Sequence, residues 1–233
     1  METEMSVIVR NFTRPPSALV KKLAGASVST VHECLGTQNS LMHHEIKPLL
    51  EGTSLVGPAV TVDCSPGDNL TVHVAVALSK RGDVLVVNGH GLPAGMWGSQ
   101  MAFQAVRRGI VGIVVDGAVR DSRELRAMKF PTFARLISSQ KTIKKSLGSV
   151  NVPIQCGGVV VRPGDVIVGD DDGVVVVPPP DLKNLPALVR KRERKELENR
   201  KLYAKGVTSM ELNHYDTFLR DEKVKVVEEA KDL

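Results

Sequence analysis

GIVGIVVDGAVRDSRELRAMKF, residues 109–130, decides the reading of the chain. Its β-branched run Ile113, Val114 and Val115 is a buried strand; Asp116-Gly117 supplies a turn, and Arg120, Asp121 and Glu124 open a helix that Pro131 stops. Charge is thus gathered at the mouth of a strand, where open α/β sheets place their ligands. On a helix, Asp121 and Glu124 share a face. Both carboxylates can then look at one hard cation while Arg120 reaches an anionic substrate. The same residues also fit a plain charged helix start, with Asp121 as a cap and Arg120 as a solvated charge.

The 233 residues suffice for one sizeable core with a C-terminal appendage, and 42% hydrophobic with 24% charged residues is the balance of a globular protein. No apolar run approaches the ~20 residues of a membrane helix. Glu2 and Glu4 stand where a signal peptide would be basic, so a cytoplasmic location is expected. Cys34, Cys64 and Cys156 are odd in number and lack C-x-x-C spacing, which predicts reduced, mostly buried thiols and no zinc site.

Lys and Arg exceed Asp and Glu by 31 to 26, a net charge of +5. The excess sits in Lys141, Lys144 and Lys145 and in the run from Arg190 to Lys205, where Glu193, Glu196 and Glu198 are interleaved. Such alternation reads as a solvated helix. Five Phe, two Tyr and one Trp offer little for bases to stack on, so no nucleic-acid partner is expected.

Residues 17–35 read as helical, with Thr30 to Glu33 resembling a capping box. Strand-like, Val-rich runs lie at 54–64, 84–87, 110–115, 159–161, 166–168 and 174–177. They do not alternate, which suits strands buried on both faces. Residues 70–78 and 99–108 read as helices, the second ended by Gly109. Strand 84–87, helix 99–108, strand 110–115 and helix 120–128 form a βαβα unit. The pairs Gly67-Asp68, Gly82-Asp83 and Gly164-Asp165 are turn chemistry, and Asp170 to Gly173 is a hairpin turn in preference to a calcium loop. Pro178 to Pro180 closes the domain, and residues 181–205 form a charged helix that leaves it.

The connection Asn88-Gly-His-Gly-Leu-Pro-Ala-Gly-Met-Trp-Gly98 is rich in glycine, and its amides, with the positive end of helix 99–108, form a cradle for a carboxylate or phosphate. A dinucleotide site fits poorly, because Gly89, Gly91, Gly95 and Gly98 do not make G-x-G-x-x-G. His43-His44-Glu45 is read as surface, since adjacent histidines point to different faces; His32 and His73 are read as helix and core-edge residues.

Trp97-Gly98, the following helix and strand, Asp116-Gly-Ala-Val-Arg-Asp121 and Glu124 together resemble the RraA-like family, and within it the 4-hydroxy-4-methyl-2-oxoglutarate / 4-carboxy-4-hydroxy-2-oxoadipate aldolases. Ser29 to Glu33, Pro66 to Asn69, Val150 to Pro153, Arg162 to Asp165 and Asp171 to Pro178 extend the likeness in order and spacing over most of the chain. The resemblance implies a layered β/β/α swivelling-domain fold over residues 1–180, with residues 181–233 a charged helical extension packing on a neighbouring subunit.

It also implies a metal-dependent lyase that cleaves 4-hydroxy-2-oxo diacids to pyruvate and a second oxo acid, with oxaloacetate decarboxylation as a side activity. Asp121 would hold Mg²⁺ or Mn²⁺ largely through waters, with Glu124 in support and Glu196 contributed by a neighbouring subunit of a trimer or hexamer. Arg120 would contact the 2-oxo acid end, and the amides of Gly95, Met96, Trp97, Gly98, Ser99 and Gln100 would bind its carboxylate. One position departs from the aldolase pattern: Ser99 stands where members carry Asp or Glu to handle a proton. Gly206 to Leu212 likewise replaces the usual Gly-Glu-Leu-Gly-Leu-Asp run. Other relatives resemble regulators that bind a ribonuclease or helicase, which is the competing implication.

Overall fold

Val84 to Val87 explain why the central strands read as unbroken apolar runs. Val84 and Val86 enter one apolar cluster and Leu85 and Val87 another, all fully buried. A computed structural model describes residues 5–36, 38–222 and 224–227; Glu2 and Glu4 lie outside them.

In chain order the first unit contains α1 (Ser17–Val20), α2 (Val28–Leu35), β1 (Lys47–Pro48), β2 (Leu55–Asp63), α3 (Leu70–Leu78), β3 (Val84–Asn88) and β4 (Gly95–Trp97). There follow α4 (Ser99–Arg108), β5 (Gly112–Val119), α5 (Ser122–Met128), β6 (Thr132–Ile137), β7 (Ser149–Val150), β8 (Ile154–Cys156), β9 (Val159–Val161), β10 (Val166–Asp170) and β11 (Gly173–Val177). The sheet order is β1-β6-β5-β3-β2-β10-β11. β2, β3, β5 and β6 run parallel, and β10 adds antiparallel to β2.

The two ends of this sheet approach each other. Lys47 Nζ donates to Asp172 O at 2.7 Å, and the Phe133 ring covers Gly169, where a Cβ would meet it at 2.9 Å. The result is a near-barrel mixed sheet, in keeping with the layered swivelling-domain fold that the resemblance implies. Its interior holds Val84, Val86, Val114, Phe133, Ile167 and Val176, and α3, α4 and α5 cover the outer face of β2, β3 and β5. A third cluster sets α1 and α2 on Val166, Val168, Val175 and Val177.

Helices 70–78 and 99–108 have the expected bounds, and Gly109 ends the latter at φ 77°. The hairpin at Asp170 to Gly173 is also present. Three local expectations are corrected. Asp116-Gly117 is not a turn: β5 continues through it to Val119 with a register shift, because Arg135 Nε and Gly157 N each donate to the Asp116 carboxylate at 2.7 Å. Residues 17–35 are broken between α1 and α2, and Ser27, not Thr30, caps α2 by accepting from Thr30 N. The glycine-rich connection contains β4, paired parallel to β5.

The remaining helices are α6 (Leu185–Tyr203), α7 (Ser209–Leu212) and α8 (Tyr215–Asp221). Compact units divide at Val189/Arg190, within α6. In the second unit Glu196 accepts from Arg192 Nε at 2.9 Å, and Thr208 with Glu211 forms a capping box. Among the described residues no helix is long and apolar enough to cross a membrane, and the cysteines form no disulfide.

Candidate active site

The end of β5 and the start of α4 meet at Asp121. The residue sits at the N-cap position of α5 with φ 55° and ψ 40°, left-handed backbone that Asp tolerates better than most side chains. Its carboxylate does not cap its own helix. Asp121 Oδ2 instead accepts from Ser99 N at 3.0 Å and Ser99 Oγ at 3.1 Å, filling an orphan donor at the start of α4. The expectation that Asp121 belongs to the first helical turn beside Glu124 is therefore corrected: the left-handed residue sets it outside that turn.

Arg120 is joined to β4 by its own amide, which donates to Trp97 O at 2.8 Å. Its Nε lies 3.8 Å from Asp121 Oδ1, a loose pair that leaves the guanidinium half exposed. Glycine makes this crossing possible. A Cβ on Gly98 would stand 2.5 Å from Asp121 Oδ2 and 3.2 Å from Arg120 Cγ, and one on Gly95 would meet Arg120 Cβ and Cδ at 3.1 Å. Gly98→Ala is expected to displace the Asp121 carboxylate and lower turnover at least ~10²-fold, with the apparent melting temperature shifted only by the few degrees of a lost cap. Steady-state kinetics beside thermal unfolding checks this.

A cavity of about 200 Å³ opens beside these groups. Gly95, Gly98, Gln100, Arg120 and Asp121 line it, joined by Met101 from α4. The side chains of Met96 and Trp97 point away into the core, and both are fully buried. Gly95 N is already spent on Gln140 O and Ser99 N on Asp121, so of the expected cradle amides these two are taken, while those of Gln100 and Met101 lie in the first turn of α4, where no intrahelical acceptor exists. Glu124 is exposed on α5 and absent from the cavity wall, and Glu196 belongs to the second unit.

The rest of the lining was not legible as a site in the sequence: it consists of Asn69, His73, Thr142 and Lys144. Asp68 brings these elements together. Fully buried, its carboxylate accepts from Leu70 N at 2.8 Å, Lys145 N at 2.6 Å and Ser146 N at 2.8 Å, tying segment 142–146 to the start of α3. Asn69 then accepts from Thr142 Oγ1 at 3.1 Å and donates to Met96 O at 3.1 Å. The quoted segment Pro66 to Asn69 was the available signal. Lys144, one of the clustered lysines noted in the sequence, brings the cavity lining a second cation. His73 has its ring pKa lowered by burial and by Lys144, so it is neutral near pH 7.

Burial alone would raise the Asp68 carboxyl, and the amides of Lys145, Leu70 and Ser146, with Lys144 nearby, outweigh it and hold the group below its ordinary 3.8. A depressed carboxyl contributes stability above pH ~3.8 that is lost as pH falls through its folded value. Asp68→Asn should cost about 2 kcal/mol at pH 7, or roughly 4–8 °C in melting temperature. The gap between variant and wild type should close below pH ~3.8 in a pH series of thermal melts.

Among the described residues no group of three or more His, Cys, Asp or Glu is placed to hold a metal ion. A single carboxylate, with Oδ1 committed to no bond shorter than the loose Arg120 contact, fits a hard divalent cation that keeps most of its waters, such as Mg²⁺ or Mn²⁺.

Comparison with known proteins agrees with this architecture. A protein of Halalkalibacterium halodurans named "Putative 4-hydroxy-4-methyl-2-oxoglutarate aldolase" is 44% identical over 149 residues, 64% of this chain and 71% of that one. The crystal structure of Streptomyces coelicolor RraAS2, titled an unusual member of the RNase ES inhibitor RraA protein family, matches with a TM-score of 0.73 and 30% identity over 81% of this chain and 99% of its own. An uncharacterized protein from Pseudomonas syringae matches with a TM-score of 0.75 and 26% identity over 84% and 97%. The RraA-like (Aldolase/RraA) family model matches residues 26–176, and the chain belongs to that family.

Proposed function

We propose that the chain is a divalent-metal-dependent pyruvate aldolase acting on 4-hydroxy-2-oxo acids with two or more carboxylates, such as 4-hydroxy-4-methyl-2-oxoglutarate or 4-carboxy-4-hydroxy-2-oxoadipate, with oxaloacetate decarboxylation as a side activity. The observation that carries this reading is that Arg120, Asp121 and Lys144 line one and the same cavity. Two cations and one carboxylate suit a dianionic substrate bound together with a divalent ion.

Asp121 would hold Mg²⁺ or Mn²⁺, which supplies Lewis-acid polarisation of a 2-oxo group. Arg120 binds the 2-oxo acid end and stabilises the negative charge that develops there as the C3–C4 bond breaks, because its planar fork matches a carboxylate and an adjacent oxyanion. The first-turn amides at Gln100 and Met101 orient the C1 carboxylate. Lys144 takes the second carboxylate, which selects diacids over monoacids. The C4 hydroxyl gives its proton to a solvent water beside Ser99 and Asp121, and Ser99 Oγ keeps the Asp121 carboxylate oriented. As the C3–C4 bond breaks, the C4 oxygen becomes the carbonyl of the second oxo acid and the bonding pair passes to the pyruvate enolate at Arg120; the protonated water then returns the proton to C3 and pyruvate leaves. Glu124 and, from a neighbouring subunit of a homo-oligomer, Glu196 are assigned to the waters around the ion.

Pyruvate release coupled to lactate dehydrogenase, from these two 4-hydroxy-2-oxo acids and oxaloacetate with and without Mg²⁺, tests the reading. Mg²⁺-dependent release from at least one of the two is expected; release from none, by protein that is folded and metal-supplied, contradicts it. The second reading is a non-catalytic regulator of a ribonuclease or helicase, favoured by the likeness to the RNase ES inhibitor family. It leaves the Arg120–Asp121 pairing at a cavity without a purpose.

A further inference from the structure

A second cavity, of about 310 Å³, lies at the opposite end of the parallel strands and shares no lining residue with the first. Asp83 and Val111, which immediately precede β3 and β5, form its floor, whereas Arg120 and Asp121 follow the other end of β5. Val20, Val56 and Pro58 make its walls apolar.

The Arg14 side of the cavity is a fixed structure. Arg14 Nε and Nη2 donate to the two oxygens of the fully buried Asp83 carboxylate, each at 2.7 Å, and the guanidinium stacks 4.0 Å above the Phe12 ring. The same carboxylate accepts from Lys80 N at 2.7 Å. Asp83 is thereby neutralised within the wall. Lys21 and Arg81 remain as the lining's unpaired cations, and neither side chain has an ion-pair or hydrogen-bond partner among the described residues. The Arg81 side chain, its guanidinium included, lies across Gly109 at the C-terminal end of α4, so its position is braced by packing and by the negative end of that helix. An apolar chamber of this size with a small number of directed charges has the form of a small-ligand site.

We propose that this cavity binds a small organic monoanion with an apolar body, its carboxylate between Lys21 and Arg81 and its hydrocarbon part against Val20, Val56, Pro58 and Val111. The site is independent of the aldolase reading, since neither its residues nor its ligand class enters that chemistry. A ligand here would touch Val111, which immediately precedes β5, the strand whose other end leads into Arg120 and Asp121 at the first cavity.

Isothermal titration of the full chain with benzoate, 4-phenylbutanoate and hexanoate, and with uncharged benzamide as control, tests the assignment. At least one carboxylate should bind saturably at one per chain, about tenfold or more tighter than benzamide. The double variant K21A/R81A, checked for an unchanged melting temperature, should weaken that binding about tenfold. Val111→Phe should block it sterically, and Arg120→Ala should leave it unchanged. No saturable binding by any of the three, benzamide binding equally, or wild-type affinity in K21A/R81A overturns the proposal. Loss of binding in Arg120→Ala also overturns it, because the anion would then occupy the first cavity.

Discussion

Asp121→Ala is expected to lower metal-stimulated pyruvate release about 10³-fold or more, since a metal's Lewis-acid contribution is several kcal/mol of barrier. The same substitution removes a cap from Ser99 N, at about 1 kcal/mol and thus roughly 2–4 °C in melting temperature. Asp121→Asn separates the two roles. Its amide oxygen still accepts from Ser99, so the melting temperature should stay near wild type while the loss of charge keeps turnover low. Kinetics over a Mg²⁺ titration with parallel thermal melts reads both. Wild-type turnover in either variant would take Asp121 out of the chemistry.

Ser99→Asp should produce the largest gain. Aldolases that this chain resembles carry an acid at that position, and Ser99 Oγ already lies 3.1 Å from Asp121 Oδ2, beside the place where a proton must leave. A positioned acid or base contributes ~10²–10⁴-fold, and the gain should appear in kcat more than KM because the change acts on the chemical step. Two carboxylates this close repel each other unless a cation lies between them. The gain should therefore require Mg²⁺, and the metal-free variant should melt below wild type. If Ser99→Asp is neutral or harmful while wild type turns over at an ordinary rate, a water or another cavity residue such as His73 carries the proton.

What the sequence made legible follows from the range of the forces involved. Helices α3 and α4 were readable because their signals are local: apolar spacing, and Gly109 at the left-handed end of α4. The strands of β3, β10 and β11 were readable because burial on both faces demands continuous Val-rich runs. Arg120 and Asp121 stood out by their position after such a run. Strand β4 was hidden because Gly95 to Trp97 carries no strand signature; its pairing is fixed by β5. The extension of β5 through Asp116-Gly117 depends on Arg135 and Gly157, far along the chain. The lysine wall was equally hidden. Asp68 recruits the amides of Lys145 and Ser146 across more than seventy residues, and no local pattern encodes that approach.

The left-handed backbone at Asp121 also escaped the sequence, although it sets the site. A helical Asp121 would have shared a face with Glu124; the observed one turns its carboxylate to α4 and toward the cavity. A strained residue at the meeting point of two elements is a common mark of a functional position. Here it supports placing the chemistry at Asp121 in preference to Glu124.

Exchange of the pyruvate methyl protons in D₂O tests the central claim most directly, because it reports enolate formation without needing the second oxo acid to be known. Followed by proton NMR, the methyl signal of pyruvate should decay with wild-type protein and Mg²⁺, should persist when the metal is chelated, and should persist with Asp121→Ala. Persistence of the signal with folded wild-type protein and saturating Mg²⁺, at the rate of buffer alone, would contradict the assignment of enolate chemistry to this cavity.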